Sequence, residues 1–158
     1  MALDDIYKEV ILDHYKNPRN KREMPDAELS CSKNNPLCGD EITVFVHEDD
    51  GKVLDVSFVG QGCSISQSSA SMMTETVAGK ARDEVGERIG AFRDMMAGEV
   101  EADEDAFGEL VALKGVGKYP VRVKCAVLAW DVLHVVLVGG RAPRGAPRPS
   151  LSRITPAA

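Results

Sequence analysis

Three cysteines and one aspartate stand where their side chains could hold a metal ion or carry out thiol chemistry. Cys38 and Asp40 are two residues apart in a tight loop that enters a strand, so both side chains can reach one point. Cys63 precedes a predicted helix, and Cys125 lies in the first turns of another. Helix N-termini favour the thiolate, which is the nucleophilic and the metal-binding form of cysteine. Three sulfurs and one carboxylate make the four donors that tetrahedral Zn²⁺ requires.

The spacing of these residues does not by itself establish a metal site. The sequence holds no CxxC pair, and the gaps between the three cysteines are 25 and 62 residues. Buried cysteines are common in protein cores, so a metal or thiol site and three packed core residues both remain open interpretations. The remaining cysteine, Cys31, lies outside these segments, and we interpret it as a bystander in or near an edge strand.

Hydrophobic periodicity predicts the helices that would position these residues. Apolar residues recur at helical spacing from the first helix to a central, largely apolar one that Pro120 begins. Gly115-Val116-Gly117 is predicted to open a loop before it. His14 lies on the apolar face of the first helix and is interpreted as a packed, hydrogen-bonded residue, and His47 as a solvated one. The predicted helices cover residues 3–16, 66–78, 85–96, 103–113 and 121–138.

Strand signals occupy the first half of the chain. Alternating residues predict a hairpin over 41–47 and 52–59, with Leu54 on the same side as Val56 and Phe58. Residues 27–32 are predicted to form a short edge strand. Strands first and helices afterwards predict the α+β class, a small antiparallel β-sheet with helices packed on one face. We therefore expect one domain over residues 1–138.

Charge and composition exclude several classes of function. The net charge is −6, and without the four arginines of residues 139–158, a segment that has no acidic residue, the remainder carries −10. Such a body repels phosphate backbones and anionic lipid, so neither nucleic acid nor membrane is expected as a partner. Residues 139–158 are predicted to form a basic, Pro-rich, flexible tail. The start of the chain has no signal-peptide pattern, and four cysteines in a chain of this length do not indicate a disulfide scaffold, so a cytoplasmic protein is predicted.

Three segments, in order, resemble the motifs of the NifU N-terminal, or IscU-like, family of iron–sulfur cluster assembly proteins. The likeness covers residues 3–138 and includes the first helix, with its Asn17-Pro18 end. The family resemblance implies the IscU-like fold, with the three cysteines and the aspartate gathered at one end of the molecule. The segments are residues 35–40 (NPLCGD), 62–66 (GCSIS) and 122–126 (RVKCA).

Two departures from the scaffold branch of that family indicate its SufU-type branch. The residue before the last cysteine is Lys124, where the scaffolds have a ligating histidine, and a protonated lysine cannot ligate. The stretch between Cys63 and Cys125 is also longer than in the scaffolds by about one helix. This resemblance implies zinc as the cofactor, held by Cys38, Asp40, Cys63 and Cys125, with Arg122 as a partner of the site.

The activity that the resemblance implies is zinc-dependent sulfur transfer. A cysteine desulfurase would pass the outer sulfur of its persulfide to Cys38, for delivery to downstream iron–sulfur assembly proteins, in thiol–disulfide-type exchange. The alternative is a scaffold on which a [2Fe–2S] cluster is assembled and from which it is transferred, with iron or the cluster at the same residues. A third possibility is that zinc is only structural.

Overall fold

The structure, a computed structural model, describes residues 3–35, 39–101 and 104–139. It confirms the predicted α+β class: four antiparallel strands in the order β1-β2-β3-β4 form one sheet, and helices pack on it. The predicted tail lies outside the described residues, apart from Gly139 at the end of the last helix. The elements are α1 (Leu3–Lys16), β1 (Leu29–Asn35), β2 (Asp40–Asp49), β3 (Lys52–Gln61), α2 (Ser64–Val77), β4 (Lys80–Ala81), α3 (Arg82–Met96), α4 (Glu104–Phe107), a 3-10 helix (Gly108–Lys118) and α5 (Pro120–Gly139).

The β2–β3 hairpin supplies the sheet's contribution to the core. Val44 pairs with Phe58, and both are fully buried, as the alternating pattern predicts. The prediction for Leu54 is wrong, because this side chain is 43% exposed and Val53 is buried in its place. The cause is a register shift: His47 pairs with Asp55 but the next residue pairs with Val53, so Leu54 is an extra, bulged residue.

Helix α5 lies at the centre of the molecule, as predicted from its apolar sequence. Its Trp130 is fully buried and stacks on Phe92 of α3, with ring centroids 4.4 Å apart. Trp130 Nε1 donates a hydrogen bond to Ser69 Oγ at 3.1 Å, and Ser69 donates to the carbonyl of Ala126 at 2.5 Å. These buried bonds hold the first half of α5 against α2, and so position Cys125 relative to the start of α2. Among the described helices, none is both long and apolar enough to cross a bilayer.

The region before α5 differs from the prediction. The single helix predicted over 103–113 is instead the short α4 followed by a 3-10 helix, and the predicted loop at 115–117 is part of the latter. The α-helical run breaks at Gly108, whose φ is +57°. Leu110, Leu113 and Val116 are buried at steps of three, which places them on one side of a helix with three residues per turn.

Candidate metal centre

Asp40 enters the site from the first position of β2. A turn precedes it, in which the Gly39 N–H donates to the Asn35 carbonyl at 2.8 Å, with Gly39 at a φ of +71° that favours glycine. The Asp40 side chain is 1% exposed. Its Oδ1 accepts the backbone N–H of Cys63 at 2.9 Å, so the carboxylate is fixed directly against the start of α2.

Cys63 is the N-cap residue of α2, with φ −72° and ψ 167°. Its carbonyl accepts the Gln67 N–H at 3.2 Å and the Ser66 hydroxyl at 3.1 Å, which anchors the first turn of the helix. The Cys63 thiol lies 3.9 Å from Asp40 Oδ2. Cap geometry therefore points this sulfur toward the buried carboxylate.

Cys125 completes the described cluster from the second turn of α5. Its side chain is fully buried, and its Sγ lies 3.7 Å from the carbonyl of Val121 one turn earlier. One ligand atom from each of Asp40, Cys63 and Cys125 lies within 4.8 Å of the others. Tetrahedral ligands 2.0–2.3 Å from a zinc ion stand about 3.3–3.8 Å apart. The donor set suits a thiophilic cation, and three segments distant in sequence bring these atoms to within about 1 Å of that spacing.

Arg122 lies beside this cluster at an exposed position. It is three residues before Cys125, so both side chains leave the same face of α5. Negative charge on Cys63, and then on Cys125, raises the pKa of the Arg122 guanidinium, which lies near both sulfurs. The guanidinium thus contributes positive charge where the two sulfurs converge.

The other predicted residues fall in different places. Cys38 lies outside the described residues. Cys31 is fully buried in β1, and His47 is half-exposed and hydrogen-bonded to Glu28 at 2.6 Å. That carboxylate raises the pKa of His47. Neither residue is part of the described Asp40–Cys63–Cys125 cluster.

Sequence reasoning missed two features of the molecule. One is the close approach of Gly62 to Asp40. The other is a second group of potential ligands, His14, Glu75 and Glu109. Helical spacing could have placed Glu75 near the first helix only if the packing of α1 on α2 were known, and Glu109 lies in the segment whose helix type was predicted wrongly.

Replacing Gly62 with alanine is expected to destabilise the protein by about 1–3 kcal/mol. The Cβ atom would lie 2.2 Å from Asp40 Oδ1 and 2.9 Å from Ser66 Oγ, and φ at residue 62 is +152°. The carboxylate would have to move away from the Cys63 N–H. Urea unfolding of Gly62→Ala measures the loss.

Gly86→Ala is the matched control for that experiment. Gly86 lies inside α3, and its added Cβ would meet no atom within 4 Å. Alanine is favoured over glycine in a helix by up to about 1 kcal/mol, so this variant should be as stable as the parent or more so. Equal unfolding midpoints for Gly62→Ala and the parent would contradict the close packing described for Asp40.

Comparison with known proteins places the chain in a family. The model of the NifU-like N terminal domain matches residues 6–135. The zinc-dependent sulfurtransferase SufU of Bacillus subtilis is 46% identical over 132 residues, which cover 84% of this chain and 89% of the relative. The iron–sulfur cluster assembly scaffold protein IscU of Streptococcus pyogenes is 39% identical over a match that covers 83% of this chain and 82% of the relative.

A solved structure agrees with these matches. The SufU protein of Fervidobacterium islandicum, described as a candidate scaffold for iron–sulfur cluster assembly by the SUF system, superposes with a TM-score of 0.78 at 36% identity. The match covers 86% of this chain and 99% of that one. The chain therefore belongs to the NifU-like N-terminal domain family of iron–sulfur cluster assembly proteins, and within it is SufU-like.

Proposed function

We propose that this protein is a zinc-dependent sulfurtransferase that accepts persulfide sulfur from a cysteine desulfurase for iron–sulfur cluster assembly. The observation that carries the proposal is the convergence of Asp40, Cys63 and Cys125, from three distant segments, to within 4.8 Å of one another. The likeness to a zinc-dependent sulfurtransferase at 46% identity supports it.

The proposed zinc ligands are Cys38, Asp40, Cys63 and Cys125. Two residues of extended chain span at most about 7 Å, and Cys38 is two residues from Asp40 in the sequence, so a fourth ligand from that loop is within reach. Zinc, when bound, would keep the sulfurs deprotonated without adding redox chemistry of its own.

Cys38 would carry the transferred sulfur. Its thiolate attacks the outer sulfur of the desulfurase persulfide, a new sulfur–sulfur bond forms on Cys38, and the desulfurase cysteine leaves as a thiolate. No external oxidant is needed, because the sulfane sulfur keeps its oxidation state and its proton. Arg122 lies beside Cys63 and Cys125, where its positive charge can stabilise the desulfurase thiolate as it leaves.

A partner protein must reach Cys38 for this reaction. We propose a cysteine desulfurase as sulfur donor and downstream iron–sulfur assembly proteins as recipients, with the cytoplasm as the compartment.

A scaffold function is the second candidate, favoured by the likeness to IscU of S. pyogenes at 39% identity. Two thiols and a carboxylate can hold iron as well as zinc. Lys124, an exposed residue directly before Cys125, argues against it, since a protonated lysine offers no lone pair to a cluster.

Metal and sulfur analysis of the anaerobically purified protein tests the two candidates. We expect colourless protein with about one zinc per chain. Incubated with a desulfurase carrying ³⁵S-labelled persulfide, it should take up about one sulfur per chain, released by reductant. Both numbers follow from a single four-ligand site with one acceptor thiol.

Brown protein that holds iron and acid-labile sulfide, and takes up no persulfide sulfur while zinc-loaded, would overturn the proposal in favour of the scaffold. Zinc-loaded protein that accepts no sulfur from the desulfurase would leave zinc with a structural role only.

A further inference from the structure

We propose that His14, Glu75 and Glu109 form a second metal site, distinct from the cysteine cluster, for a divalent cation that prefers nitrogen and oxygen ligands. One ligand atom from each residue lies within 4.8 Å of the others. The three residues come from α1, α2 and the 3-10 helix, so the site joins three separate elements. It shares no residue with the proposed zinc site.

His14 is held as a ligating histidine must be. The side chain is fully buried, and its Nδ1 lies 2.8 Å from the hydroxyl of Ser71, which is also buried. The Ser71 oxygen in turn accepts the Arg19 backbone N–H at 2.9 Å. A partner fixed on one ring nitrogen sets the ring orientation and leaves the other nitrogen for a metal. Here Nε2 is the nitrogen that faces the carboxylates.

Two carboxylates converge on that one nitrogen. Glu109 Oε1 lies 3.0 Å from His14 Nε2, and Glu75 Oε1 lies 3.9 Å from it, with side chains 56% and 46% exposed. One N–H satisfies only one of these oxygens well, whereas a cation can bind both carboxylates and the imidazole together.

If the His14 ring is neutral, binding of a cation at Nε2 requires the ring proton to move to Nδ1. The ring does not have to lose a proton. In the neutral tautomer with its proton on Nε2, the Ser71 hydroxyl donates to Nδ1 and Nε2–H of His14 donates to Glu109. With metal, Nδ1–H donates to Ser71 Oγ, which frees the Nε2 lone pair. The Ser71 hydroxyl serves both states, because it can donate or accept.

The surroundings have room and charge for a hydrated ion. A cavity of about 160 Å³ is bordered by Glu75 and Glu109 together with Met72 and Phe107. Since a water takes about 30 Å³, this space beside the two carboxylates has room for water ligands, and His14 is not among the residues that border it. The nearby Arg19 guanidinium is engaged by Asp13 at 2.7 Å. One imidazole, two carboxylates and water suit Mn²⁺, Fe²⁺ or Zn²⁺.

Occupancy of this site would fasten the 3-10 helix to α1 and α2. That helix ends at Lys118, two residues before α5 begins, and α5 carries Arg122 and Cys125. A cation here therefore stabilises the segment that leads into α5, the helix that carries Cys125, without taking part in sulfur transfer.

Manganese binding to the full-length, zinc-loaded protein tests the proposal. Mn²⁺ is the probe because oxygen and imidazole ligands suit it, whereas the thiolates of the other site select zinc. We expect about one bound Mn²⁺ per chain by electron paramagnetic resonance, with coupling to an imidazole nitrogen. At a hundredfold excess over Kd, the thermal midpoint should rise by about 5–10 °C.

Glu75→Gln and Glu109→Gln should each weaken Mn²⁺ binding at least about tenfold and remove the thermal shift. Both side chains are about half exposed, so these variants should fold normally. The matched control is Glu87→Gln, which removes the same charge from an exposed position on α3 and should bind like the parent.

Three results would each overturn the second site: no saturable Mn²⁺ binding by the parent, binding without nitrogen coupling, or equal affinity in Glu87→Gln and the two ligand variants. These readouts do not depend on sulfur acceptance, so failure here and failure of the proposed sulfurtransferase function are separable.

Discussion

Replacement of Cys38 by alanine or serine is expected to reduce sulfur uptake from a persulfide-charged desulfurase to background. The Cys38 sulfur is the atom that forms the new sulfur–sulfur bond, and neither the methyl group of alanine nor the hydroxyl group of serine can hold sulfane sulfur. The measurement is ³⁵S transferred per chain, with the rate at which the desulfurase consumes cysteine as a second readout, since stimulation should disappear as well.

The fold should survive this substitution. The core is built by the sheet, α2, α3 and α5 around fully buried residues such as Phe58, Phe92 and Trp130, none of which this substitution changes. Circular dichroism and the urea midpoint of Cys38→Ser establish that the loss of transfer is chemical.

Cys31→Ala is the matched control. It removes a thiol that is fully buried in β1, outside the Asp40–Cys63–Cys125 cluster. A small cavity should cost about 1 kcal/mol of stability while sulfur uptake stays at the parent level. Persulfide uptake by Cys38→Ala at the parent rate would refute Cys38 as acceptor. Unfolding of both Cys38 variants would point to a structural metal instead.

The sequence predicted most of the framework of this protein, because its strongest patterns are local. The period-two alternation of β2 and the long apolar run of α5 each specify an element without knowledge of its neighbours. Asp40, Cys63 and Cys125 stood out because each lies next to a recognisable break between elements. The proposal that they share one site came from the family resemblance, because their spacing in the sequence could not supply it.

What the sequence could not predict depends on contacts between distant segments or on small backbone departures. The bulge at Leu54 moves one side chain to solvent, although the alternating pattern continues through it. Gly108 has a positive φ, and no pattern in the neighbouring residues predicts it. The empty space that Gly62 leaves for Asp40, and the meeting of His14 with Glu109, exist only once the elements are packed.

Asp40 is the second residue whose removal should have a large effect. Asp40→Ala deletes a proposed zinc ligand and also the acceptor of the Cys63 N–H at 2.9 Å. We expect zinc affinity to fall at least about tenfold and Cys38 to be alkylated faster, because fewer ligands hold the ion. The lost charge-assisted hydrogen bond should cost a further 1.5–3 kcal/mol of stability, roughly.

Asp40→Asn separates those two contributions. The amide oxygen can still accept the Cys63 N–H, so most of the stability should remain, while the neutral side chain is a far poorer zinc ligand. Competition with a chromophoric chelator measures the affinity of each variant. We expect Asp40→Asn to resemble Asp40→Ala in zinc affinity and the parent in unfolding midpoint.

Glu41→Gln provides the control for charge alone. Glu41 follows Asp40 in β2 but is exposed, since successive strand residues point to opposite faces of the sheet. Its removal changes net charge by the same amount and should leave zinc affinity within about twofold of the parent. If Asp40→Asn also binds zinc as tightly as the parent, the carboxylate is not a ligand, and its role is confined to the hydrogen bond that holds Cys63 at the start of α2.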